Sequence, residues 1–179
     1  LCLSARQKNE VAEALQLEAI KKGVPLHFIN GEKRAKIDVN IPGEKQKENT
    51  ELAIWVLEHL KGFTIPNFAI REGLNTVKWY GRNQILQVNP LVIFDVAHNL
   101  AGMNSFLEYY KNLNIRGDSV LVISLQARKQ IQPAIPIFQA MFKYIVCTET
   151  SGRNPMPANI LGNLFFDGRI KIIINPEEA

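Results

Sequence analysis

Cysteine is scarce in this 179-residue chain: Cys2 and Cys147 stand 145 positions apart. That spacing excludes a disulfide framework and a Cys-based metal site, and it suits a reducing cytoplasm. Long apolar runs are missing too, since runs such as 91–94 and 172–174 fall far below the ~18–20 residues that span a bilayer. No signal-peptide pattern opens the chain, so no membrane role is expected. Neither sign of charge dominates. The formal net charge is +4, and residues 1–61 carry 10 basic and 9 acidic groups against 11 and 8 in residues 62–179. Nucleic acid is therefore not an expected partner. There is also no Gly-x-x-x-x-Gly-Lys-Ser/Thr loop, no Gly-x-Gly-x-x-Gly fingerprint, no His-Glu-x-x-His and no Gly-x-Ser-x-Gly elbow. A nucleotide met by this chain is met without a phosphate cradle of its own.

What is present reads as folded protein, with 46% hydrophobic and 21% charged residues, enough for one sizeable domain or two small ones. The start, Leu1-Cys2-Leu3, lacks a methionine and reads as a strand entered from upstream, which suggests a fragment. A helix capped by Asn9 is expected next, with Val11, Ala12, Leu15 and Ala19 on one face, then Gly23 as its stop and a strand over 25–29. The polar, Lys-rich stretch 30–40 reads as a surface excursion. From about Gln46 or Asn49 a helix runs to Leu60, with Leu52, Ala53, Val56 and Leu57 on its apolar face and Gly62 as terminator. A short helix with Pro66 first and Gly73 as C-cap follows, and then Trp79-Tyr80-Gly81-Arg82 as a connector.

The texture changes near residue 84. Strands over 85–88, 91–96, 120–125, 144–147 and 170–174 alternate with helices over 99–113, 133–142 and 157–164. Continuous apolar strands in such alternation mark an α/β fold with a mainly parallel sheet covered on both faces.

Three local features could carry chemistry. Asp95-Val96-Ala97-His98-Asn99 lies where a buried strand ends and a helix begins, the place where open α/β sheets collect ligands and where helix N–H groups meet anions. Asp95 could bind a ribose hydroxyl and His98 a base or phosphate. Equally, Asn99 could simply cap the helix, Asp95 tie the turn and His98 stand in solvent. Arg82 could clamp a phosphate at a domain junction, or be an ordinary solvated charge. Gln46 and Asn49 taken alone mean helix capping. His27 and His59 belong to no visible metal constellation.

Together these residues resemble the folylpolyglutamate synthase and dihydrofolate synthase family of the Mur ligase superfamily. Gly43, Gln46 and Asn49 are similar to its Gly-x-x-Gln-x-x-Asn. Gly73-Leu74 with Trp79-Tyr80-Gly81-Arg82 is similar to its Trp-Pro-Gly-Arg region, and the segment from Asp95 to Asn99 to its Asp-Gly-Ala-His-Asn. The order and spacing match over nearly the whole chain. The resemblance implies a Rossmann-like, mainly parallel C-terminal domain over 85–179, truncated at its end, preceded over 1–84 by the tail of a Mur-ligase-type ATPase domain. An exposed apolar face is expected over 1–84, whose strands lack their usual neighbours.

The implied activity is ATP-dependent amide formation: a folate or dihydropteroate carboxylate is phosphorylated and then attacked by the amine of L-glutamate. Carried over, Asn49 contacts the adenine side of ATP, Arg82 the nucleotide, Asp95 the ribose or Arg82 itself, and His98 lies beside the nucleotide. Asn99 and Lys129 fall on the substrate side. Magnesium ligands and the phosphate loop would lie upstream, leaving the fragment inactive by itself and the full-length enzyme a monomer. Val96, Tyr80 and Leu100 depart from the family's glycine and two prolines, and Leu125-Gln126-Ala127-Arg128-Lys129-Gln130 departs from its Asp-Lys-Asp-like turn. Two other readings stay open on the sequence: a ligase of cell-wall precursors, and a Rossmann-like binding module without ligase activity.

Overall fold

The computed structural model describes residues 1–29, 38–165 and 168–179, so most of the expected surface excursion, residues 30–37, lies outside the described residues. Its contacts divide the chain into two units, Leu1–Phe94 and Asp95–Ala179. The sequence placed the corresponding boundary at 84.

In the first unit, β1 (Cys2–Ser4) and β2 (Leu26–Phe28) form a two-stranded parallel sheet joined through α1 (Asn9–Lys21). Asn9 is the first helical residue and not the cap; the cap position is Lys8, which makes no side-chain capping bond. α2 (Glu44–Glu58) starts earlier than the apolar periodicity alone indicates, because its first turn is charged and offers no apolar repeat to read. α3 (Asn67–Thr76) runs through Gly73 and ends three residues later, with Pro66 at the N-cap. Large apolar side chains stay exposed along this unit: Leu17, Ile20, Phe63 and Phe68 are all more than two-thirds in solvent. These exposed side chains fall in the range where an apolar face is expected.

The next two strands correct an expectation. β3 (Gln84–Gln87) and β4 (Val92–Phe94) pair with each other in antiparallel fashion, with a register shift between Ile85 and Gln87. The four residues between them cannot make the dozen-residue crossover that parallel neighbours need, so a hairpin is the available geometry.

The second unit is built on the parallel sheet expected there, in the order β5 (Val120–Ile123), β6 (Tyr144–Cys147), β7 (Ile170–Ile172). α4 (Leu100–Asn112) precedes it, while α5 (Ile135–Met141) and α6 (Ala158–Gly162) make the crossovers. Met103, Leu107, Ile123, Phe138, Ile145, Cys147 and Leu161 join in one buried cluster. Gly162 lets α6 approach β7: a Cβ there would lie 3.2 Å from the Ile172 side chain. On the other face of the sheet Val120, Val122 and Tyr144 are about half exposed while Val146 is buried, so that face is only partly covered among the described residues. Crossovers of one hand between successive neighbours place their helices on the same side.

Candidate functional site

The first unit holds a cleft of about 290 Å³ between residues 40–42 and 77–85. Its walls are fixed by hydrogen bonds across long sequence separations. Asn40 N–H donates to Leu74 O at 2.9 Å, Asn40 Nδ2 to Val77 O at 3.2 Å, and Asn83 Nδ2 to Pro42 O at 2.9 Å. Gly81 N–H donates to Gln84 Oε1 at 2.9 Å. Gly43 turns the chain into α2 with φ 114°, and a Cβ there would come within 2.7 Å of Asn83 Nδ2. Backbone conformation and close approach both demand glycine at this position.

Arg82 lines this cleft and is half-buried, with no ion-pair partner among the described residues. Asn49 does not line it. Asn49 lies exposed in the second turn of α2, where its Nδ2 donates to Gln46 Oε1 at 3.2 Å.

In the second unit Asp95, His98 and Asn99 are brought together just beyond β4. Asp95 Oδ1 accepts from Ala97 N–H at 2.7 Å, and the His98 Nδ1–H donates to Val96 O across 3.1 Å in the tautomer that places its proton there. Nε2 is then the exposed acceptor. Asn99 is the N-cap of α4, its Oδ1 accepting from Gly102 N–H at 2.8 Å. Gly102 in turn packs close to Ala97, since a Cβ on it would lie 3.3 Å from the Ala97 Cβ. The structural roles named as the alternative for these three residues are therefore all realised. The cap satisfies one of the donors at the start of α4.

Lys129 is half-buried in the turn after β5. That turn is clipped to the loop after β6 by Ala127 N–H donating to Asn154 O at 3.1 Å and by a bridge between Gln126 and Pro155. The sequence reading missed Asn40, Asn83 and Gln84 as builders of the cleft. The one available signal was an asparagine directly after Gly81-Arg82; Asn83 adopts φ 44°, a left-handed conformation that asparagine tolerates better than most residues.

The chain shares its fold with solved folylpolyglutamate synthase structures. The chain superimposes on Mycobacterium tuberculosis folylpolyglutamate synthase complexed with ADP and AMPPCP, with a TM-score of 0.85 and 20% identity, covering 98% of this chain and 46% of that one. For E. coli FolC in complex with DHPP and ADP the TM-score is 0.81 at 22% identity, covering 98% and 45%. Among curated relatives, the folylpolyglutamate synthase of Candida albicans is 31% identical over 128 residues, which is 60% of this chain and 25% of that protein. The dihydrofolate synthase/folylpolyglutamate synthase of Bacillus subtilis (strain 168) is 33% identical over 98 residues, 52% of this chain and 23% of that protein. No family model matches the chain. It resembles the folylpolyglutamate synthase and dihydrofolate synthase family, and spans about a quarter of the length of these curated relatives.

Proposed function

We propose that this chain is part of an ATP-dependent ligase that joins L-glutamate to a folate or to dihydropteroate, and that it does not perform the reaction by itself. The observation that carries the reading is the 31% identity to a folylpolyglutamate synthase over 128 residues, in a chain that also holds three short motifs of that family in order. In the proposed reaction a carboxylate oxygen of the acceptor attacks the γ-phosphorus of ATP and ADP leaves. The glutamate amine then attacks the acyl carbon, and phosphate departs with the former carboxylate oxygen. Catalysis of this kind rests on positioning and on charge stabilisation around the phosphates.

Each unit supplies its own nucleotide contacts. In the first, Arg82 engages the phosphates and Asn49 the adenine side. In the second, Asp95 takes the ribose hydroxyls and His98 lies beside the nucleotide. Asn99 and Lys129 are assigned to the acceptor and glutamate side. The donor set suits the ligand, because the cleft around Arg82 also presents Lys78, and no carboxylate lines it among the described residues. Magnesium, when bound, neutralises phosphate charge. No group of three or more His, Cys, Asp or Glu able to hold a metal ion occurs among the described residues. None of the described helices is long and apolar enough to cross a membrane, and with both cysteines free we place the protein in the cytoplasm.

The test uses the complete translation product that contains this sequence. ADP should form only when a reduced folate or dihydropteroate and L-glutamate are both supplied, and Arg82→Ala should raise the KM for ATP about 10- to 100-fold, the size of a lost charged hydrogen bond. An unchanged KM removes Arg82 from the site. Turnover with uridine-nucleotide muropeptides in place of folates moves the substrate to cell-wall precursors.

A further inference from the structure

We infer that Asn83 is a positioning residue for Arg82: it locks the connector that carries Arg82 to the turn that starts α2, and so fixes the span between Arg82 and Asn49. The inference deepens the ligase reading and rests on its assignment of those two residues to opposite ends of one ATP molecule.

Asn83 is a polar side chain only 4% exposed, in a unit that leaves Leu17, Ile20, Phe63 and Phe68 in solvent. Burying an amide is costly unless it is hydrogen-bonded, and Asn83 Nδ2 meets this demand by donating to Pro42 O at 2.9 Å, across 41 positions. The backbone is committed as well. Gly81 and Asn83 take φ 73° and 44°, so left-handed residues stand on both sides of Arg82, and Gly81 N–H is tied to Gln84 Oε1 at 2.9 Å. The path of the chain through Arg82 is therefore set before a ligand arrives, which lowers the ordering cost of binding.

The other side of the lock is Gly43. A Cβ there would come within 2.7 Å of Asn83 Nδ2, so the Asn83 amide occupies the space that this glycine leaves. Gly43 is also the N-cap residue of α2, and its carbonyl accepts from Gln46 N–H at 3.0 Å. Gln46 in turn holds Asn49, whose Nδ2 donates to its Oε1 at 3.2 Å, while the buried Thr50 donates through Oγ1 to Gln46 O at 2.8 Å. A run of short contacts thus leads from Asn83 to Asn49 within one unit. The role assigned to Asn83 is to hold Arg82 and Asn49 at a fixed separation, and not to supply a nucleotide contact of its own.

The experiment measures ATP binding to the complete translation product by calorimetry, with circular dichroism reporting the fold of each variant. Asn83→Gly keeps a residue that accepts the left-handed backbone and removes the amide. Its dissociation constant for ATP should rise about tenfold, the size of one lost buried hydrogen bond. Asn114→Gly, at an exposed left-handed asparagine of the second unit, should leave it unchanged. The decisive arm repeats Asn83→Gly in an Arg82→Ala background. A positioning role makes the two losses non-additive, so the further weakening should be less than about twofold, whereas a merely structural role returns the full loss. Unchanged ATP affinity in Asn83→Gly, additive losses, or collapse of the fold in that variant each overturns the inference. Turnover separates the two levels. ATP affinity that depends on Asn83 through Arg82, in a product that never extends a folate or dihydropteroate, supports the lock and sinks the ligase reading. Extension of a folate with ATP affinity unmoved by Asn83→Gly does the reverse, and a parent that binds no ATP sinks both.

Discussion

The two units use a similar stock of apolar residues in opposite ways. In the second, Ile131, Ile145, Cys147 and Leu161 are completely buried, and the cluster around them draws on α4, α5, α6 and the sheet. In the first, the buried side chains among the described residues are polar, Thr50 and Asn83, while Leu17, Ile20, Phe63 and Phe68 remain in solvent. A two-stranded parallel sheet such as β1 with β2 is below the size that is stable alone, and parallel strands normally have both faces covered. Periodicity thus specifies where a helix or strand forms; burial decides whether it is held. The first unit has its elements without a core of its own, and what is fixed most firmly in it is the polar framework around the cleft.

The largest expected effect comes from cutting the core. Leu161→Ala should cost about 2–5 kcal/mol of second-unit stability, because it removes a fully buried side chain and leaves a cavity between α6 and the sheet. Leu15→Ala on α1, where the side chain is already partly in solvent, should cost about 0.5 kcal/mol or less. Residue-resolved hydrogen exchange under mild denaturant reads both. Slow exchange in α1 that matches α5 and α6, with equal penalties for the two substitutions, would erase the contrast between the units.

A smaller effect uses the two cysteines, one per unit. Cys2 is exposed and Cys147 buried, and burial pushes the Cys147 thiol from its ordinary 9.0 up to about 11. Because the folded state holds the proton more tightly, this group's contribution is intact below pH 9.0 and is lost as pH rises toward about 11, where the unfolded chain has already ionised. At pH 8 a disulfide reagent should therefore label Cys2 at once and Cys147 only as the second unit opens. Melting temperature should fall between pH 9 and 11 in the parent, with a shallower fall in Cys147→Ala. Simultaneous labelling of both thiols would show that β6 is as open as β1.

Much of the fold was legible in the sequence, for identifiable reasons. The parallel strands of the second unit stand out as unbroken apolar runs, and Asn99 before an amphipathic stretch marks the start of α4, where the structure places it as the cap. The hairpin of β3 and β4 was not legible as such, because its apolar residues match those of a buried parallel strand and only the short connection betrays the pairing. Gly73 looked like a helix end, yet α3 continues past it, since a single glycine costs a helix only about 1 kcal/mol. At the candidate site, Asp95, His98 and Asn99 are neighbours in sequence and could be read together. The cleft could not: the bond from Asn83 to Pro42 spans 41 positions, and nothing local in either segment announces the other. Tyr80, read as a departure from a family proline, turns out to be a large exposed ring beside Arg82 at the cleft.

The most direct measurement follows an oxygen atom. The complete translation product is given ATP, L-glutamate and a folate or dihydropteroate whose reacting carboxylate carries oxygen-18. Ligation through an acyl phosphate requires a glutamyl-extended product and one labelled oxygen in the released phosphate. Phosphate released without label, or ATP consumed with no extended product, would contradict the assignment of this chain to such a ligase.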